Sequence, residues 1–140
     1  MQAKGDLDRA VADLDEAITL DPAFSRAYNN RGLAYRAKGE FDRAVADFDS
    51  AIRFDQRFAK AFSNRALAYQ DKGDLERAIG DFDAAIKLDP KDASTFIRRG
   101  NAHLAKGNVE RAAADFEEAL RLKPDDPAAL DGLKTALSAK

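Results

Sequence analysis

Residues 31–52 read RGLAYRAKGEFDRAVADFDSAI. Apolar and small residues fall at helical spacings of three, four and seven on both sides of one glycine: Ala34 and Tyr35 before Gly39, then Phe41, Ala44, Val45, Phe48, Ala51 and Ile52 after it. Shifted by 34 residues the chain reads RALAYQDKGDLERAIGDFDAAI from Arg65, and by 34 more RGNAHLAKGNVERAAADFEEAL from Arg99. Gly5, Gly39, Gly73 and Gly107 share that period, and self-similarity at a fixed step of this size marks a repeat architecture.

Glycine tolerates the left-handed backbone that ends many helices, so each of these positions is expected to separate two antiparallel helices. Asp6, Asp74 and Asn108 follow as helix-starting acceptors, with Glu40 a weaker one. The second break in each unit is LDP, FDQ, LDP or LKP, where proline disfavours helix in the residue before it and begins the next one. Gln56 replaces that proline once, so its turn is expected to be the least sharply defined. Gly32, Ala66 and Gly100 are expected to face Ala44, Ala78 and Ala112 across each hairpin, with Tyr28, Phe62, Phe96, Phe48, Phe82 and Phe116 filling the wider gaps.

A 34-residue helix-turn-helix unit with aromatic, glycine, tyrosine, alanine, phenylalanine and proline at these spacings resembles the tetratricopeptide repeat, or TPR, family over nearly the whole chain. Ala66, His103 and Gln56 depart from the family pattern once each, and Arg31, Arg65 and Arg99 depart systematically, standing where the family has leucine. The resemblance implies an all-α, right-handed superhelix of antiparallel helix pairs, about eight helices in a single array. Its expected parts are a second-helix half repeat over 5–24, repeats over 25–58, 59–92 and 93–126, and a capping helix over 127–140.

The 25 acidic and 23 basic residues alternate along the chain and leave a net charge of -2, which excludes the basic stripe of a nucleic-acid interface. There is no cysteine for thiol catalysis or thiolate metal sites, and one histidine. No apolar run approaches the ~20 residues of a membrane span, and MQAKGDLDRA has no signal-peptide core. No cofactor, metal, nucleic acid or membrane is expected. The compartment is not legible, though a soluble, cytoplasmic protein is expected if no signal sequence was removed, and the alanine- and aspartate-rich style reads as bacterial.

Arg31, Arg65 and Arg99 are expected to pair with aspartates at a fixed offset (Asp13, Asp47, Asp81 and Asp115), since a permanently charged residue at a packed position is best held by a bidentate partner. His103 has no nucleophile or acid at a recognised spacing and reads as structural. Asp47 with Asp49, and Glu117 with Glu118, point in different directions on a helix and read as a solvated face. No catalytic constellation emerges, so the expectation is a protein that is not an enzyme.

First helices of stacked hairpins line a concave surface, the usual binding face of such arrays. Helical spacing places Asn29, Asn30, Leu33 and Arg36, then Lys60, Ser63, Asn64, Leu67 and Gln70, then Ser94, Ile97, Arg98, Asn101 and Leu104 on that face. Amides that hydrogen-bond an extended backbone, interleaved with aliphatics, suit a peptide. Some TPR domains clamp a C-terminal carboxylate of heat-shock chaperones, and Asn64 and Arg98 match two of those positions. Asn29, Leu33 and Ser94 stand where the clamp has lysine, asparagine and lysine.

The first expectation for function is therefore a non-catalytic scaffold or adaptor that binds a peptide segment of a partner protein, with a carboxylate-clamp co-chaperone as a special case. A second reading starts from the first helix, whose apolar residues Leu7, Ala10, Val11 and Leu14 lack the preceding helix that would cover them. Either the array continues beyond this sequence or that face mediates self-association, as a symmetric dimer or head to tail with the last helix. Leu130, Leu133 and Leu137 are expected to face the array, and Lys134 stands where a glycine would let another helix pack closely.

Overall fold

The computed structural model describes residues 4–139. Among them are eight α-helices and no strand: α1 (Lys4–Leu20), α2 (Ser25–Ala37), α3 (Phe41–Phe54), α4 (Ala59–Asp71), α5 (Leu75–Leu88), α6 (Ala93–Lys106), α7 (Val109–Leu122) and α8 (Pro127–Ser138). Short connections make consecutive helices antiparallel neighbours, and each hairpin stacks on the next in an all-helical solenoid.

The hairpin turns follow from the glycines. Gly39, Gly73 and Gly107 have φ of 79°, 84° and 83°, the left-handed region where a side chain is strained. That conformation lets the next residue's N–H reach back to the helix, as Glu40 N does to Tyr35 O (2.9 Å), Asp74 N to Tyr69 O (2.9 Å) and Asn108 N to His103 O (2.8 Å). Gly5 behaves differently, lying within the first turn of α1, which begins at Lys4 rather than Asp6. Of the expected caps on the second helices, Asp74 accepts from Arg77 N, whereas Glu40 and Asn108 make no side-chain cap bond.

The turns between hairpins are set by aspartate more than by proline. The Asp21, Asp55 and Asp89 carboxylates accept from the backbone N–H two residues on, at 3.3, 3.1 and 3.4 Å. The Gln56 turn therefore closes like its proline-bearing neighbours, contrary to the sequence expectation.

Phe48, Phe82 and Phe116 are fully buried and centre the core. Phe48 packs with Ala44 and Ala68, Phe82 with Ala66, Ala78 and Ala102, and Phe116 with Ala112, Ala119, Ala129 and Ala136, so each ring joins its own hairpin to the next first helix. A Cβ on Gly32 would lie 2.6 Å from the Phe48 ring and one on Gly100 2.9 Å from Phe116. The close approach thus accommodates phenylalanine, not the alanines Ala44 and Ala112 that spacing suggests.

Two end assignments change. Leu7 is buried beside Ala37 and Lys38 at the end of α2 and is not part of a free face, while Ala10, Val11 and Leu14 are half-buried. On α8 the buried residues are Ala129 and Ala136, with Leu133 packed behind them, whereas Leu130 (51 %) and Leu137 (54 %) are exposed.

Candidate functional site

The first helices α2, α4 and α6 are tied to one another across the inner face by side-chain hydrogen bonds. Asn64 Nδ2 on α4 donates to Asn29 Oδ1 on α2 (3.0 Å), and Arg98 on α6 donates to Ser63 Oγ on α4 (2.9 Å). Both pairs are 35 residues apart, one more than the period, so the rows run obliquely across the groove. Above them is a cavity of about 530 Å³ lined by Asn29, Asn30, Leu33, Lys60, Ser63, Asn64, Asp92, Ser94 and Arg98.

Its charged groups are Lys60, Asp92 and the Arg98 guanidinium. Burial, reinforced by Arg36, pulls this guanidinium below its ordinary pKa, and the nearby Asp92 carboxylate opposes the shift. Burial alone would raise Asp92, but hydrogen bonds from the Ser94 hydroxyl and backbone N–H and from Thr95, with the field of Arg98, outweigh it and hold the carboxyl below its ordinary value. Asp92 is the N-cap of α6, a position that helical spacing along the first-helix face does not select. Its signal is the D-A-S-T run that opens a helix, with aspartate at the capping position.

The remaining groove candidates divide by helix geometry. Ile97 is buried in the Phe116 core and is not a groove residue. Leu67 and Leu104 pack mainly against the core clusters of Phe82 and Phe116. Arg36 is engaged by Asp71 of the next first helix, Gln70 is half-buried and Asn101 is exposed, and none of these three lines the cavity. The period-based list was too wide because a helix in a stacked array is covered on two sides, leaving a narrow inward strip.

On another side of the stack the systematic arginines form a ladder. Arg31, Arg65 and Arg99 each make two bonds to the aspartate of their own hairpin: Asp47 (2.9 and 2.7 Å), Asp81 (2.8 and 2.8 Å) and Asp115 (2.9 and 2.7 Å). A second aspartate, on the preceding hairpin, takes a further N–H at 2.8 Å: Asp15, Asp49 and Asp83 respectively. These carboxylates are therefore paired rather than merely solvated, and the arginines are consumed structurally. Hydrogen bonds to the aspartates, Asp47 and Asp81 first, outweigh desolvation and raise the pKa of Arg31 and Arg65.

His103 occupies the position of Tyr35 and Tyr69. It is buried, its Nδ1 has no partner, and its Nε2 lies 3.9 Å from Asp115, too far for a hydrogen bond. Burial pushes its pKa down, so the ring is neutral at pH 7.

Comparison with known proteins gives the same architecture. A tetratricopeptide repeat model matches residues 63–127, and a TPR repeat model matches 3–37 and 32–73. No curated protein sequence matches the chain. Among solved structures, the Arabidopsis OM64 TPR domain is 28% identical with a TM-score of 0.80, over 83% of this chain and 96% of that one. The first TPR of Spaghetti (RPAP3), bound to the HSP90 peptide SRMEEVD, is 26% identical with a TM-score of 0.80, over 82% and 91%. The second TPR domain of human RPAP3, in complex with the HSP70 peptide SGPTIEEVD, is 32% identical with a TM-score of 0.75, over 79% and 92%. With repeat models covering residues 3–127 and this fold, the chain belongs to the tetratricopeptide repeat family.

Proposed function

We propose that the chain is a non-catalytic interaction module, a scaffold or adaptor, whose concave groove binds an extended segment of a partner protein through a carboxylate seated on Arg98. One observation carries this reading. Arg98 lines the cavity, is half-buried, and makes its single side-chain hydrogen bond among the described residues to Ser63, which leaves most of its five N–H donors for a ligand. Lys60 adds a second positive charge against the one carboxylate of Asp92, so an acidic group on the ligand restores neutrality. Asn30 and the free amide groups of Asn29 and Asn64 suit the backbone of an extended peptide, and half-exposed Leu33 offers an apolar contact.

The two RPAP3 domains were solved with peptides whose sequences both end Glu-Glu-Val-Asp, which supports a short acidic ligand class. Asn29 and Ser94 do not supply the lysines of a terminal-carboxylate clamp, nor Leu33 its asparagine. The reading is tested by fluorescence anisotropy with SRMEEVD, SGPTIEEVD and acidic peptides selected by display against the chain, each in free and C-terminally amidated form. Arg98→Ala is expected to weaken free and amidated peptides alike, by about tenfold or more. Loss confined to the free C-terminus would replace this reading with the clamp, and unchanged affinity would refute the groove.

A further inference from the structure

Arg43 on α3, Arg77 on α5 and Arg111 on α7 share one position of the repeat. The first two have the same kinds of partner. Arg43 Nη1 lies 3.2 Å from Glu40 Oε1, and Arg77 Nε lies 3.4 Å from Asp74 Oδ2. Each guanidinium also sits over the tyrosine of its hairpin's first helix, 5.5 Å from the Tyr35 ring centre and 5.7 Å from that of Tyr69. The ladder arginines Arg31 and Arg65 approach the same two rings at 5.9 Å, so each tyrosine is held by two cations.

The third repeat lacks both partners at once. Asn108 stands in place of the acid and His103 in place of the tyrosine, and Arg111 makes no ion pair or side-chain hydrogen bond among the described residues. Imidazole is shorter than phenol, and a cavity of about 280 Å³ lies there between α5 and α7, with Arg99 and His103 of α6 between them. Arg111 lines it beside the apolar Ile79 and Ala114. The His103 side chain is only 7 % exposed, and its Nδ1 has no partner. An apolar cavity of about 150 Å³ already holds a benzene ring, so this one has room for a ring and one substituent. None of its lining residues lines the peptide groove.

We infer that this cavity binds a small aromatic carboxylate, with its ring beside Arg99 and Arg111 where the other repeats hold a tyrosine, and its carboxylate on Arg111 where they hold Glu40 or Asp74. Charge supports an anion in spite of the two aspartates in the wall. Asp83 and Asp115 are both bonded to Arg99. In the second repeat two cations, Arg65 and Arg77, meet three carboxylates, Asp49, Asp81 and Asp74. In the third, Arg99 and Arg111 meet only Asp83 and Asp115, and the ligand's carboxylate restores the third acid. A ring alone leaves Arg111 without an acid, and an anion alone leaves it without a ring, so the ligand needs both. Such a group arrives as a free aromatic acid or as the C-terminal phenylalanine or tyrosine of a peptide.

The chain has one histidine, so its imidazole proton resonances report this cavity and not the groove. At pH 7 phenylacetate is expected to shift them saturably in the millimolar range, with affinity read independently by relaxation of the ligand's own protons. Benzyl alcohol, which lacks the carboxylate, and cyclohexylacetate, which lacks the aromatic ring, should each bind at least about fivefold more weakly. Arg111→Ala, at an exposed position, should weaken phenylacetate about tenfold. Asn108→Asp returns the internal acid and should weaken phenylacetate while leaving benzyl alcohol unchanged. His103→Tyr returns the ring and should abolish binding, read by ligand relaxation. Acetyl-Gly-Phe with a free C-terminus separates the sources: binding like that of phenylacetate extends the site to peptide ends, and binding of phenylacetate alone restricts it to free acids. No saturable shift of His103 with phenylacetate, equal binding of cyclohexylacetate, or undiminished binding in His103→Tyr would each overturn the inference.

Discussion

Arg65 offers a controlled comparison, because it holds two aspartates at the same distance in different surroundings. Its guanidinium is 2.8 Å from both Asp81 and Asp49, but the Asp81 side chain is 11 % exposed and the Asp49 side chain 53 %. If distance determined the contribution, removing either carboxylate would cost the same. Solvation predicts otherwise. Removing one partner of a buried pair costs about 3–5 kcal/mol, because the other charge is left desolvated. Arg65 retains Asp49 and some water access, so Asp81→Ala is expected to cost about 2–4 kcal/mol, whereas Asp49→Ala, a surface pair, is expected to cost below about 1 kcal/mol. For a chain of this size the melting temperature should fall by about 10 °C in the first case and about 2 °C in the second. Urea unfolding followed by far-ultraviolet circular dichroism and by tyrosine fluorescence reads both, with coincident transitions required before free energies are compared. Equal losses, or a larger loss for Asp49→Ala, would refute the argument from burial.

Other substitutions probe the core, the histidine and the helix cap. Gly132→Ala should cost about 1–3 kcal/mol, because its Cβ would lie 2.4 Å from the Phe116 ring, while Gly80→Ala, in open space within α5, should gain about 0.5–1 kcal/mol, both read by chemical unfolding. His103→Tyr, which restores the residue of the other repeats, should gain about 1 kcal/mol at pH 7 by removing a buried unpaired nitrogen. Because burial lowers the His103 pKa, the folded state resists a proton that the unfolded chain accepts. Wild-type stability should therefore decline as pH falls below 6.5, and in His103→Tyr this component of the decline should vanish. Asp92 is depressed, so its contribution is present above its ordinary value of 3.8 and lost as pH falls through the lower folded value. Asp92→Asn should remove that component from an acid-unfolding curve.

The fold was legible because its determinants are local and repeated. A glycine required at positive φ and an apolar stripe each recur with the period, so an accidental match at one copy is corrected by the next. The site was less legible for a physical reason. Helical spacing gives the direction of a side chain but not how much of the surrounding arc neighbours cover, so Ile97 was assigned to the groove when the Phe116 core encloses it. The hydrogen bond between Asn64 and Asn29 depends on the 35-residue offset created by stacking, which no single helix displays. Asp49 was read as solvated because its partner belongs to the following hairpin, a relation outside any one repeat.

The same arginines connect this stacking to the groove. Each makes a bidentate grip within its hairpin and a single bond to the preceding one, and the two bonds do different work. The buried grip fixes the two helices of a hairpin and carries most of the energy; the exposed bond fixes one hairpin against the next while contributing little to stability. The cavity is assembled from α2, α4 and α6, so its width depends on the relation between hairpins, which is the relation that Asp15, Asp49 and Asp83 restrain. Asp49→Ala is therefore expected to leave the melting temperature nearly unchanged while weakening groove ligands several-fold, because the bond from Arg98 to Ser63 and that from Asn64 to Asn29 both cross hairpin boundaries. Anisotropy with the peptides chosen for the Arg98 test measures it. Intact affinity in a variant whose inter-hairpin bond is gone would show that the packing of Phe48 and Phe82 alone sets the curvature, and that the outer arm of the ladder is dispensable for binding.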